Sequence, residues 1–215
     1  GLGLRNRDSY LEARFADKQA AYRVYVEQML TVITGPDASA AADAVVAFET
    51  RLAQAHWTPT QSRNRDLTYN PMSVAELQAA APGMDWSAFL GAAGFGDHDR
   101  YIAIQNTALP AMAQAFAETP MGTLQAWQAF AIADQAAPLL SQRFVDANYG
   151  FRLRELGGQP EQRSRERRGV AFAEGVMGQP LGRLYVERWF PPESRAQMED
   201  LVANLRAAMA ARIAT

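Results

Sequence analysis

The segment GQPLGRLYVERWFPPES, Gly178 to Ser194, decides the fold because it sets an aromatic, charged stretch between a glycine–proline start and a double-proline stop. Proline is tolerated in the first turn of a helix, and it cannot continue a helix that has already formed. We therefore predict a short helix that begins at Pro180 and ends near Phe190. The double proline at Pro191 should then turn the chain into a last helix.

The same segment predicts an internal packing element. The aromatic residues Tyr185, Trp189 and Phe190 lie close to Leu184 and Val186 in the sequence, and aromatic residues among apolar neighbours usually form buried patches. We therefore interpret these side chains as core.

Three further residues complete this interpretation. Gly182 would permit close approach of a neighbouring helix, because glycine has no side chain. Arg183 and Glu187 are four residues apart, so they share one helix face and would either brace it or reach the backbone of a neighbouring loop. Together these residues describe an internal strut.

Helical periodicity continues outside this segment. Apolar residues recur three and four apart from Leu11 to Ile33 and again from Val45 to Leu52, with Glu49 placed outside the second stripe. Serine followed three residues later by glutamate, the capping-box pattern, occurs at Ser9 and at Ser73. Further helices are predicted at residues 107–117, 123–136, 138–156, 160–177 and beyond Pro192, where Met198, Leu201, Val202, Leu205 and Met209 share one face.

Two stretches interrupt this pattern. WTPTQSRNRDLTYN, residues 57–70, loses its apolar periodicity and predicts a long ordered loop. RYIAIQN, residues 100–106, alternates weakly and is at most a short extended segment, since a single strand needs a partner. The predicted fold is therefore all-α: one multi-helix domain over residues 1–215 with long ordered loops.

Composition narrows the classes of function. The apolar share of 48% and the charged share of 20% are typical of a folded globular protein. A net charge of -2 argues against a nucleic-acid partner, whose phosphates attract clustered basic residues. The chain has no cysteine, so it can form neither a disulfide nor a thiolate metal site. No apolar run is long enough to cross a membrane, so we expect no membrane contact by this chain.

Candidate catalytic chemistry is sparse. The two histidines, His56 and His98, do not form a metal-ligand pair, and no nucleophile elbow is present. GLGLRN, residues 1–6, lacks the preceding strand and the third glycine of a phosphate-binding loop. The residues alone therefore describe a helical domain without catalytic chemistry or a bound metal, and a stand-alone helical interaction module is one interpretation.

Five ordered segments point to a second interpretation. They are GLGLRNRDSYL at 1–11, DLTYNPMSVAEL at 66–77, PGMDWSAFL at 82–90, RRGVAFAEGVMGQPLGRLYVERWFPP at 167–192 and MEDLVANLRAAMAARI at 198–213. Together they resemble the neprilysin and endothelin-converting-enzyme family of zinc metallopeptidases. The most specific matches are GRLYVE and TYN, whose motif residues here are Tyr69, Asn70, Gly182, Arg183, Leu184, Tyr185, Val186 and Glu187.

The resemblance implies a role for a part of an enzyme. The family's H-E-x-x-H motif and its later glutamate ligand lie beyond the resembled region, so no catalytic or metal residue carries over to this chain. Zinc is expected in the catalytic domain of the parent, and no cofactor in this chain. Whether the chain itself is an enzyme stays open.

The resemblance also implies partners and a location. In the family this region belongs to a mainly helical domain that faces the catalytic domain of the same polypeptide across a cavity and admits only small peptides. The parent is then expected outside the cytoplasm.

Overall fold

The computed structural model describes residues 2–214 and is mainly helical, as predicted. Over these residues the α-helices are α1 Asp8–Leu11, α2 Ala16–Thr34, α3 Ser39–Ala55, α4 Arg65–Thr68, α5 Val74–Ala80, α6 Trp86–Ala92, α7 Leu109–Glu118, α8 Met121–Ala136, α9 Gln142–Asn148, α10 Arg165–Trp189 and α11 Pro192–Ile213. Short 3-10 turns occupy Ala13–Phe15, Gln61–Arg63 and Ala137–Leu139, and a π-helical turn occupies Tyr149–Glu155. Two short strands, β1 Pro71–Met72 and β2 Tyr101–Ile102, pair antiparallel.

The chain divides into two compact units, Gly1–Pro160 and Glu161–Thr215. The prediction of one domain over residues 1–215 stays a prediction.

The first unit is organised around α2. Its buried side chains recur at helical spacing and are Tyr22, Tyr25, Val26, Met29 and Leu30. The Tyr25 ring stacks on the Phe151 ring with centroids 4.9 Å apart, and Phe130 meets both Tyr22 and Tyr25 edge to face. Offset and edge-to-face arrangements are the favoured ones for aromatic pairs. The core therefore joins α2 to α8 and to the π-helical turn.

The two predicted capping boxes have different outcomes. Ser73 accepts a hydrogen bond from the Glu76 amide, and Glu76 accepts one from the Ser73 amide, so the box that starts α5 is confirmed. The box at Ser9 is wrong, because Ser9 lies inside α1 and Glu12 is extended at φ −95° and ψ 133°. The Ser9 hydroxyl instead donates to Asn6 Oδ1 at 3.0 Å.

The extended segment near 100–106 exists and has a partner. Pro71 lies opposite Ile102 and Met72 opposite Tyr101, and together they form a two-stranded ribbon. The sequence did not reveal β1, because two residues are too few to show alternation. Beneath the ribbon, Leu77, Leu90 and Ala103 form a small separate core.

The second unit consists of α10 and α11. Met177 departs from helical geometry at φ −120° and ψ 23°, which divides α10 at the point where a helix end was predicted. Pro180 explains the kink, because its ring displaces the carbonyl one turn earlier and it has no amide to donate. Helix α10 ends at Trp189, Phe190 is extended, and Pro192 starts α11. The predicted turn at the double proline is therefore confirmed.

Candidate interaction surfaces

The GRLYVE motif lies on the second half of α10, and its surroundings differ from the prediction. Tyr185 is 62% exposed and Trp189 is 64% exposed, so the predicted buried aromatic patch is wrong for this chain. A Cβ atom added to Gly182 meets nothing within 4 Å, so the predicted close helix approach is also wrong. The motif is displayed rather than buried.

The reason is that the apolar faces of α10 and α11 are uncovered. Neither helix contains a buried residue. Exposed apolar side chains occur along both helices, and we refer to them as the apolar faces of α10 and α11. They are Val170, Phe172, Val176, Met177, Leu181, Leu184, Tyr185, Val186, Trp189, Met198, Leu201, Val202, Leu205, Met209 and Ile213. Apolar residues at this density on a folded surface mark a site that contacts another molecule or domain.

Polar groups lie among these faces. Arg183 and Glu187 form no salt bridge with any residue in the described range 2–214, so the predicted brace is not formed. Arg183 lines a cavity of about 820 Å³ with Pro180 and Leu184. Within the described part of the chain, the motif thus combines an apolar surface with a positive and a negative side chain that take part in no salt bridge.

The neighbouring residues Tyr69 and Asn70 of the TYN motif have different surroundings. The Asn70 amide nitrogen donates to the Leu67 carbonyl at 2.6 Å and to the Ala103 carbonyl at 3.1 Å. Its oxygen accepts from Asn106 Nδ2 at 3.0 Å. Asn70 therefore ties the loop before β1 to the chain after β2, whereas Tyr69 is 69% exposed.

A buried carboxylate organises the first unit. Glu49 is only 1% exposed, so its predicted place outside the apolar stripe of α3 is wrong. Its Oε2 accepts from the hydroxyls of Tyr10 and Tyr22, each at 2.7 Å, and its Oε1 accepts from Trp127 Nε1 at 3.1 Å. Burial raises the pKa of Glu49, against these hydrogen bonds, which lower it.

The amino-terminal segment is fixed to this network. The Leu4 amide donates to the Tyr10 hydroxyl at 2.8 Å, and the Gly3 backbone hydrogen-bonds to Glu49. A Cβ atom on Gly3 would stand 1.7 Å from the Tyr22 hydroxyl oxygen. Only glycine fits this position, a requirement that the sequence alone did not show.

An ion pair between α8 and the π-helical turn lies beside the same segment. Arg152 donates to Asp134 Oδ2 at 2.6 Å and to the Gly3 carbonyl at 2.5 Å. Asp134 also accepts from the Tyr25 hydroxyl at 2.5 Å. The network from Glu49 to Asp134 thus holds the amino-terminal segment, α2, α3 and α8 together, and every group in it has a structural partner.

No cluster of metal ligands is found among the described residues. Among residues 2–214, no group of three or more His, Asp or Glu side chains is arranged to hold a metal ion. His56 caps the end of α3, and His98 is exposed in the loop after α6. None of the described helices combines the length and the apolarity that crossing a bilayer requires.

Comparison with known proteins identifies the class. The family model for the amino-terminal part of peptidase family M13 matches residues 1–215. Human endothelin-converting enzyme 1 is 24% identical over 223 residues, which span 100% of this chain and 29% of that protein. The rat endothelin-converting enzyme-like 1 is 23% identical over 99% of this chain and 28% of its own length.

Solved structures agree with this result. The zinc metalloprotease Zmp1 of Mycobacterium tuberculosis, solved in an open state, superposes with a TM-score of 0.85 and 32% identity over 97% of this chain and 33% of its own. PepO from Lactobacillus rhamnosis shares the fold, with a TM-score of 0.74 at 19% identity over 96% of this chain and 33% of its own.

The chain belongs to peptidase family M13, the neprilysin and endothelin-converting-enzyme family, and corresponds to its amino-terminal domain. The predicted resemblance is therefore confirmed. The chain spans about a third of the length of the relatives that it matches. In Zmp1 the matched region is accordingly one part of a larger protease.

Proposed function

We propose that this chain is the non-catalytic helical domain of a neprilysin-like zinc metalloendopeptidase, and that it covers the active-site cavity and limits access to small peptides. The observation that carries the proposal is the pair of uncovered apolar faces on α10 and α11. A surface of this kind is costly to leave in water and gains stability when a partner removes it.

The partner in this proposal is the catalytic domain of the same polypeptide. The relatives continue for about twice the matched length, which leaves ample chain to cover these faces. Arg183 and Glu187 on α10 would meet complementary charges there, adding orientation to a contact that apolar burial drives.

The chemistry of the parent would come from that domain. A zinc ion bound there would activate a water molecule for attack on a peptide carbonyl. Among the described residues of this chain no group of side chains is arranged to hold the ion. The role proposed for this chain is to enclose the cavity and to exclude folded proteins. A location outside the cytoplasm belongs to the proposal, and it rests on membership of the neprilysin and endothelin-converting-enzyme family.

The access role has a direct test in the parent protein. A short peptide and the same sequence inserted into a loop of a stably folded protein would be offered as competing substrates. We expect cleavage of the free peptide only, because a folded protein does not enter an enclosed cavity. Comparable cleavage of both substrates would contradict the proposed covering role.

A different observation distinguishes the covering domain from the alternative, a stand-alone helical interaction module. Such a module needs no catalytic domain and would bind a foreign helix through α10 and α11. Stable association of the chain with the rest of its own parent therefore favours the covering domain, and its failure favours the module.

A further inference from the structure

An open cavity of about 610 Å³ lies beside the TYN motif in the first unit. We call it the Tyr69 cavity. Its walls are formed by Arg63, Arg65, Thr68, Tyr69, Ile102 and Ile104. These residues come from the 3-10 turn and helix α4 that precede β1, and from β2 and the residues after it, so the paired strands bring the two halves together.

One side of the cavity is apolar. Ile102 and Ile104 are both exposed, whereas Ala103 between them is buried. Ile102 ends β2 and Ile104 lies in the turn that follows it, and both side chains line the cavity. The two isoleucines and the exposed Tyr69 ring therefore offer a surface for side chains that repeat every second residue.

The backbone behind this surface is fixed. Asn70 ties the loop to Ala103 and accepts from Asn106, and the Ala103 amide donates to the Asn70 carbonyl at 2.9 Å. An exposed aromatic on a fixed backbone loses little conformational entropy when it binds. Tyr69 is thus already placed for recognition.

The other side of the cavity is positive. Arg63 and Arg65 are exposed and take no part in any salt bridge within residues 2–214. Asp66 is the one acidic neighbour in the adjoining sequence, so two guanidinium groups stand against one carboxylate. Guanidinium groups only donate hydrogen bonds, and carboxylates match their geometry in pairs.

We propose that the Tyr69 cavity binds an extended peptide segment in which acidic and apolar side chains alternate. The acidic side chains pair with Arg63 and Arg65, and the apolar side chains lie on Tyr69, Ile102 and Ile104. That such a segment belongs to a substrate rests on the proposed function. The site would then favour acidic peptides.

The binding test uses the 215-residue chain and synthetic peptides of about six residues, the usual length of a strand. One peptide alternates glutamate with leucine, and its matched partner carries glutamine in place of glutamate. Isothermal titration at low and high salt gives both affinities. We expect the glutamate peptide to bind about tenfold more tightly at low salt, with the preference shrinking as salt rises.

Variants assign the effect to the cavity. Replacing both arginines, Arg63→Gln with Arg65→Gln, should abolish the preference for glutamate, and Tyr69→Ala should weaken both peptides. Arg195→Gln, which changes an exposed arginine on α11, should change neither affinity. Circular dichroism melting confirms that each variant is folded.

Equal affinity for the two peptides, or a preference that survives the double arginine substitution, would overturn the proposal. The readout is binding by this chain alone, so it does not depend on a catalytic domain. Peptide binding without association with the rest of the parent would reject the covering role and leave the cavity assignment standing. Association without peptide binding would reject the cavity assignment and leave the covering role standing.

Discussion

The Tyr22 hydroxyl on α2 donates a 2.7 Å hydrogen bond to the Glu49 carboxylate on α3, and the same oxygen accepts from Tyr10. This relationship explains how a charged residue tolerates burial, because a buried carboxylate is stable only when donors replace water. It also places the amino-terminal segment, whose Gly3 fills the remaining space beside Tyr22.

Gly3→Ala should destabilise the chain by about 1 to 3 kcal/mol, the usual cost of forcing an extra methyl group into a packed site. The added Cβ would overlap the Tyr22 hydroxyl and disturb its bond to Glu49. Urea unfolding measures the change. Gly122→Ala is the matched control, because its Cβ meets nothing within 4 Å and it lies in α8. Equal effects of the two substitutions would contradict the steric explanation.

Glu49→Gln should have a cost that depends on pH. The folded pKa of Glu49 is raised above its usual 4.5, so its favourable contribution is complete below that value and declines as pH rises through the folded pKa. Glutamine does not ionise and shows no such decline. The cost of the substitution, from paired urea unfolding curves, should therefore shrink from about pH 4 upward.

Other carboxylates set the background for that comparison. Asp43, Glu76, Glu118 and Glu155 have lowered pKa values, each first through a hydrogen bond to its neighbour, and their stabilisation is lost as pH falls. They are common to both proteins and cancel in the difference. A cost that stays constant or grows as pH rises would show that Glu49 is not the titrating group.

Arg152→Ala should cost about 3 kcal/mol or more, because it leaves Asp134 partly buried without its cation and the Gly3 carbonyl without its donor. Arg195→Ala breaks an exposed pair with Glu199 and should leave the melting temperature unchanged. Thermal melts of the two variants against the unsubstituted chain test this contrast. Similar losses in both variants would show that the Asp134 pair has no special role.

Tyr185→Ala should leave the stability of the isolated chain within about 0.5 kcal/mol, as expected for an exposed residue. Phe130→Ala, which truncates a buried ring in the first unit, should instead cost about 3 to 5 kcal/mol. Circular dichroism melts distinguish the two. A large loss for Tyr185→Ala would restore the buried strut that the sequence predicted.

Periodicity and capping chemistry predicted much of the fold. The apolar stripe of α3, the capping box of α5 and the break at the double proline follow from local rules. The burial of Glu49 could also have been predicted from the sequence, since Glu49 lies four residues after Val45 and three before Leu52, on the apolar stripe itself. Its charge suggested solvent, and only the three-dimensional arrangement reveals the donors that make burial possible.

The surfaces were harder to predict for a different reason. The apolar spacing on α10 and α11 shows that these helices need a partner. The spacing is the same whether that partner lies in this chain or elsewhere, so it does not tell the two cases apart. The β1–β2 ribbon and the Tyr69 cavity depend on a pairing between residues about thirty apart, which no local pattern in a two-residue strand encodes. Both features depend on tertiary contacts, which the local sequence does not show.

The most direct test of the covering role is association between this chain and the separately produced remainder of its parent, followed by analytical ultracentrifugation. If the chain covers the catalytic domain, we expect a one-to-one complex and loss of the ANS fluorescence that the exposed faces give the chain alone. Association should weaken after Leu184→Asp with Leu201→Asp. Absence of a complex, together with negligible ANS binding by the chain alone, would contradict the covering role.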